Sequence, residues 1–355
     1  MKIRTVINIF ILLFIVYNVA INFSAIKTFY STNSDEISGK IAEIAGKAQK
    51  ARTPVIEEAG NTEAYFCPRD DCEGRTLAFM QGARQQIHCA LFDLDLPEMI
   101  QFFDDQSAVL DVKIVIDNEN YRDVAGKPYV RKDTKSQLSH NKFCVVDNRK
   151  VWTGSFNPTN NDNNKNNNNV VLITSEALAA NYETEFQELW NGKFGQGERT
   201  KNSFIKLNGT ILENYFCPED WCANKIIFAI NEAKQSVIFM TFSFTHDGIG
   251  NVTRKKAIDG LDVRGVFETS QSNDFTEYTE MSAQGMDVKW DGNPKNMHHK
   301  VFIIDNKTVI TGSFNPSRNG DQVNDENVLV IHDEVIAKKY LEEFEYVWSQ
   351  TRASQ

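Results

Sequence analysis

The chain has 355 residues, 41% of them hydrophobic and 24% charged, a balance that excludes a disordered polymer and supplies material for about two packed domains. Its net charge of −10 argues against a dedicated nucleic-acid binder, which needs Lys and Arg against phosphates. Two local basic clusters, Lys127 with Arg131, Lys132 and Lys135, and Arg254 with Lys255 and Lys256, read as solvated faces.

In chain order, Lys2 and Arg4 precede a run over 5–25 that is apolar except for a few Asn and Ser residues, and Lys27 closes it. About 20 such residues can span a bilayer, and charge placed first keeps the N-terminus in the cytoplasm and sends the rest outward. A cleaved secretory signal is the alternative, but no small-x-small site follows the run. The expectation is a transmembrane anchor over 1–27, a stalk over 28–61 with Ile37, Ile41, Ile44 and Ala45 at helical spacing, and a single-pass protein with its catalytic part on the extracytoplasmic side.

Two phrases, Cys67-Pro-Arg-Asp-Asp-Cys72 and Cys217-Pro-Glu-Asp-Trp-Cys222, repeat the same cysteine spacing. In an exported chain each close pair is a candidate disulfide, with zinc or free thiols as the alternatives. Cys89 and Cys144 lie in apolar runs and read as buried small hydrophobes.

The likeness does not end at the cysteines. The run 87–94 matches 237–244, 143–157 matches 301–315, and 182–190 matches 340–348. A repeat this long is a duplicated domain and not a solenoid. Strands and helices alternate in each copy, so two α/β units are expected, over 62–195 and 210–350, each a sheet flanked by helices. The Gly-, Lys- and Asn-rich segment 191–209 links them. The segment 159–169 is nearly all Asn and reads as a flexible loop.

Each copy carries a constellation. The first holds His140, Lys142, Asp147, Ser155 and Asn157; the second holds His298, Lys300, Asp305, Ser313 and Asn315. Residues two apart on a strand share a face, so His140 and Lys142 point together, as do Ser155 and Asn157. A two-residue turn at Asn148-Arg149 would pair Asp147 with Lys150 and set Lys142 opposite Ser155 and His140 opposite Asn157. The same count sets Lys300 opposite Ser313 and His298 opposite Asn315. Asp147 and Asp305 then have the wrong parity to face this cluster and read as structural. The other histidines, His88, His246, His299 and His332, read as strand or loop residues.

Two copies of His-x-Lys-x4-Asp-x6-Gly-Ser-x-Asn resemble the duplicated signature of the phospholipase D superfamily, from about Tyr65 to Trp348. The resemblance implies mixed sheets packed about a pseudo-twofold axis, both motifs in one cleft, and no need for an oligomer. It also implies phosphodiester cleavage in which one imidazole attacks phosphorus and the other serves as acid and then base. Lys142, Lys300, Asn157, Asn315 and the Ser155 and Ser313 hydroxyls are expected to bind the phosphate. No carboxylate set at metal-ligand spacing accompanies the histidines, so neither metal nor cofactor is expected. Asn168 and Glu326 occupy matching positions, where family members orient a histidine. Within each copy this places Asn168 on His140 and Glu326 on His298, which would make His140 the nucleophile and His298 the acid. The expected substrate is a phospholipid, with an anchored endonuclease and a non-catalytic phosphate-binding module as alternatives.

Overall fold

Apolar runs bounded by Gly, Asn and Asp turns become strands, and amphipathic segments between them become helices. The computed structural model describes residues 55–351. The expected anchor over 1–27 and most of the expected stalk lie outside the described residues. Among those described, no helix is long and apolar enough to cross a membrane.

The strands are β1 (Ile56–Glu58), β2 (Asn61–Cys67), β3 (Gln86–Leu91), β4 (Asp111–Ile116), β5 (Val130–Lys132), β6 (Lys142–Val146), β7 (Lys150–Gly154) and β8 (Asn168–Thr174). They continue as β9 (Phe204–Leu207), β10 (Thr210–Cys217), β11 (Ser236–Thr241), β12 (Asp262–Phe267), β13 (Asp287–Trp290), β14 (Lys300–Ile304), β15 (Thr308–Gly312) and β16 (Glu326–His332). Seven form one mixed sheet in the order β2-β8-β7-β6-β3-β4-β5. The other nine form a second sheet in the order β1-β9-β10-β16-β15-β14-β11-β12-β13, which repeats the first order and adds two strands at one edge.

One of the added strands corrects the stalk. Ile56–Glu58 pairs in parallel with Phe204–Leu207, so the end of the expected stalk belongs to the second sheet. Its Glu58 carboxylate takes the Ser175 hydroxyl and the backbone N–H groups of Glu176 and Ala177, at the start of the helix Glu176–Trp190. A carboxylate there satisfies orphan donors and complements the helix dipole.

The helices Glu176–Trp190 and Glu334–Ser349 contribute to one buried cluster with both sheets, including Tyr182 and Phe186 from one helix, Tyr340 and Phe344 from the other, and Phe66, Phe143, Phe216 and Met240 from strands. Tyr182 meets Phe216 edge-on at 5.0 Å between centroids, and Phe66 meets Tyr340 at the same distance, so each helix packs against the other unit's sheet. Each unit also has its own outer core, which takes Phe156 in the first and Phe314 in the second.

Three disulfides are present. Cys67–Cys72 and Cys217–Cys222 close the two short loops, and Cys89–Cys144 is a third that the sequence reading assigned to unpaired core residues. The physical reason is register: Cys89 and Cys144 are direct antiparallel partners across β3 and β6, a relation that apolar patterning alone does not reveal.

Candidate active site

The two motifs come together through backbone as well as side chains. The His140 N–H donates to the Asp325 carbonyl at 2.9 Å, and the His298 N–H donates to the Asn167 carbonyl at 2.8 Å. Ser139 and Asn167 form isolated parallel bridges with Asp325 and Met297 of the other unit. The segment just before β8 in one unit is thus stitched to the histidine segment of the other.

This crossing reverses the expected histidine partners. His140 Nδ1 lies 2.8 Å from a Glu326 carboxylate oxygen, and His298 Nδ1 lies 2.8 Å from the Asn168 side-chain oxygen. Both partners orient a histidine, but each orients the other unit's. With Nδ1 tied to an acceptor, the neutral ring carries its proton there and leaves Nε2 as the lone-pair nitrogen. Phe92 and Phe242 meet the His140 and His298 rings at 4.8 Å each, one aromatic wall per histidine.

The hairpin register also differs from the count. Val146 pairs with Lys150 and Ile304 with Thr308, which leaves three residues in each turn and shifts the pairing by one. Asp147 is drawn out of the ladder because its carboxylate accepts the backbone N–H groups of Arg84, Gln85 and Gln86; Asp305 does the same for Lys234, Gln235 and Ser236. Continued one step, the register sets Lys142 across from Gly154 and not Ser155. Gly154 has φ of 140°, and a Cβ there would stand 2.3 Å from the Asn169 carbonyl that accepts from Ser155 and Phe156.

Lys142 is fully buried and Lys300 nearly so. Their ammonium groups donate to the His140 and His298 carbonyls at 2.6 and 2.7 Å and lie near the Phe92 and Phe242 rings. Burial pushes Lys142 down to about 8, with Glu326, Asp162, Asp117 and Asp93 resisting; Lys300 is depressed by burial and by Lys142. Burial also brings His140 down to about 4 despite Glu326, and it holds His298 well below the ordinary imidazole range, helped by Lys300, Lys142 and His140. Charges from both units thus converge on one site whose imidazoles are neutral at neutral pH.

Asp162 is a site residue that the sequence reading missed. The 159–169 run is not a loose loop: Asn160–Asn164 is helical, Asn168 begins β8, and Asn166, Asn167, Asn168 and Asn169 are buried. One Asp162 oxygen accepts from the Asn157 N–H and side-chain amide, both at 2.8 Å, and stands 3.5 Å from His298 Nδ1. Its other oxygen holds Asn166 at 2.6 Å. The signal available was a lone acid inside an Asn tract. The Asn side chains are at home here because buried partners meet them: Asp162 accepts from Asn166, Ser155 donates to Asn168, and Asn169 donates to Ser155.

Ser155, expected to bond phosphate, has its capacity filled. Its oxygen accepts from the Asn169 N–H and amide and its hydroxyl donates to Asn168, three bonds in all. It braces the residue that orients His298. Ser313 likewise accepts from the Asn327 N–H and amide. Asn157, Asn315 and Glu326 each keep one buried side-chain oxygen without a protein partner among the described residues.

Behind the histidines a second crossed network locks the halves. Asn327 is held by Thr153, Tyr182 and Asn141 of the first unit, and Asn169 by Thr311, Tyr340 and His299 of the second. His299, read from sequence as an ordinary strand or loop residue, lies in this layer and also meets Glu343 at 3.1 Å.

A family model described as "Cardiolipin synthase, PLD-like domain" matches twice, over residues 77–190 and 226–348. The chain belongs to this phospholipase D-like family. "Phospholipase D" of Rickettsia prowazekii (strain Madrid E) is 31% identical over 141 residues, 39% of this chain and 69% of that protein. Human "Mitochondrial cardiolipin hydrolase" is 30% identical over 128 residues, 36% of this chain and 51% of that protein. Phosphatidylserine synthase of Haemophilus influenzae shares the fold with a TM-score of 0.62 at 14% identity, covering 81% of this chain and 87% of that one.

Proposed function

We propose that the chain is a phosphodiesterase that works through a phosphohistidine on His140, with phospholipid as its substrate class. The observation that carries the reading is the crossed pair: two neutral imidazoles in one site, each with Nδ1 held by the other unit, beside two buried lysines.

His140 Nε2 attacks phosphorus, the bond to the leaving oxygen breaks, and that oxygen takes a proton from His298. Water then attacks the phosphohistidine, gives its proton to His298 and frees His140. The nucleophile assignment rests on Glu326. When Nε2 bonds phosphorus the His140 ring becomes cationic, and the carboxylate on Nδ1 offsets that charge, whereas the Asn168 amide has no charge to offer His298. The rule used on the sequence, that a carboxylate partner marks the acid, would give this pairing the opposite roles; it yields here because the charge to be offset is the one that forms on the attacking ring. An anionic phosphate between the rings favours protonation of His298, and Asp162 near its Nδ1 assists. Lys142 and Lys300, with the Asn157 and Asn315 side chains, stabilise the non-bridging oxygens.

The lipid preference draws on the names of the relatives and on the acidic surface beside the Asn160–Asn164 helix. Glu73, Asp95, Glu98 and Asp123 line a depression there, and Asp93 is pushed up to about 6 by burial and by Asp95, Asp162 and Asp123. A polynucleotide brings a row of charges against that rim, whereas a lipid brings one or two phosphates. Purified protein in EDTA, offered mixed phospholipid vesicles and single-stranded DNA side by side, tests the reading. Head-group release with DNA left intact is expected. DNA cleavage with the lipids untouched transfers the mechanism to a nuclease, and an activity lost in EDTA that Mg2+, Mn2+ or Zn2+ restores but Ca2+ does not overturns it.

A further inference from the structure

A group of carboxylates outside the catalytic histidines is unexplained by the mechanism. One oxygen from each of Glu185, Glu188 and Glu219 lies within 4.8 Å of the others. Glu185 and Glu188 come from the Glu176–Trp190 helix of the first unit and are buried; Glu219 follows Cys217-Pro218 in the second. The linker passes over them. A Cβ on Gly197 would stand 2.3 Å from both a Glu188 and a Glu219 oxygen, and the Glu198 N–H donates to Glu188.

A separate observation points to a ligand. Asp325 is 3% exposed; one of its oxygens accepts from the Gly195 N–H at 2.6 Å, and the other is buried without a partner among the described residues. Its charge bears on Glu185, and that of Glu219 bears on it. A Glu219 oxygen is likewise buried and unpartnered. Among the described residues, the cationic contact to these carboxylates is Lys193, half-exposed and 3.3 Å from Glu188. Burial and mutual repulsion push Glu185 up strongly, Glu219 to about 7 and Asp325 to about 8. Such a group is at ease either with shared protons or with a hard cation.

We propose that Glu185, Glu188 and Glu219, with the buried Asp325 carboxylate beside them, form a structural Ca2+ site that fastens the inter-unit linker to both units. All-oxygen ligands select a hard cation, and an irregular set of carboxylates without a regular octahedron suits the flexible coordination of Ca2+ better than that of Mg2+. The site bears on catalysis only through neighbours. Glu185 holds Asn141, between His140 and Lys142, and Asp325 precedes Glu326 and accepts the His140 N–H.

The test is equilibrium dialysis of the full chain against labelled Ca2+, with thermal melts in CaCl2, MgCl2 and EGTA. One Ca2+ per chain is expected, with a rise of about 5 °C in the melting midpoint at millimolar CaCl2 relative to EGTA and none with MgCl2. Glu188→Gln and Glu219→Gln should each weaken binding at least tenfold, and Glu219→Gln in EGTA should melt no lower than the unaltered protein. Absence of bound Ca2+ in the unaltered protein, or undiminished binding in both variants, overturns the proposal. Because binding and melting are read without substrate, the result is independent of the catalytic assignment.

Discussion

The two units share a strand order and a motif and differ where their side chains enter the cleft. The first supplies Asn168 at the orienting position and Asp162 in the short helix before it; the second supplies Glu326 and, at the place of Asp162, Gly320. Because the orienting residues cross over, His140 receives the charged partner and His298 the amide, with Asp162 of its partner unit at 3.5 Å. A duplicated fold with exchanged partners gives two histidines different electrostatic settings while their backbones stay equivalent. Gly320 cannot simply copy Asp162, since a Cβ there would stand 2.4 Å from the Asn315 carbonyl.

The harshest way to break the comparison is to remove either histidine. His140→Ala and His298→Ala should each reduce turnover by about 10³-fold or more, because nucleophile and acid act as one unit. Half-activity in either, measured as phosphodiester release from folded protein, would mean that the units work separately.

The next test sharpens the difference between the halves. His298→Asn, impaired in releasing the adduct, should carry an acid-labile phosphoryl group on the peptide containing His140 after quenching. Glu326→Gln should lower kcat about 10²-fold, and Asp162→Asn about tenfold. Label found reproducibly on His298, or Asp162→Asn costing more than Glu326→Gln, reverses the roles.

The pH profile follows from the same asymmetry. With bound phosphate keeping His298 protonated, Lys142 sets the basic limb of the complex: it is charged below about 8 and loses its proton above it, so kcat should decline as pH rises through about 8. His140 is neutral above about 4 and is lost as a nucleophile below it, which sets the acid limb. A flat rate from pH 7 to 10 rules out a required Lys142 ammonium. His140 also binds its proton more weakly folded than unfolded, so its share of stability is complete above about 6.5 and fades toward 4.

The smallest effect concerns the network behind the histidines. Asn327→Ala and Asn169→Ala each leave buried hydroxyls unpaired and should cost about 2 kcal/mol in denaturant unfolding. Unequal costs would show that the crossed networks are not energetically equivalent.

The duplication, the His/Lys/Asn sets and the short cysteine loops were legible in the sequence because each repeats at fixed spacing, and spacing is what a linear text preserves. The Asp147 and Asp305 parity was legible too, although the turn proved one residue longer because their carboxylates bind three backbone N–H groups. Which histidine meets Asn168 and which meets Glu326 was decided only by packing, since an alignment within one copy cannot show a contact across two. The same holds for Asp162, which composition placed in a flexible tract but which the other unit's His298 segment encloses. The Cys89–Cys144 bond and the strand Ile56–Glu58 depend on register against distant strands. Local chemistry fixes what each segment can form; the partner it forms with is set by which buried donors and acceptors find one another once the two sheets close on their shared helices.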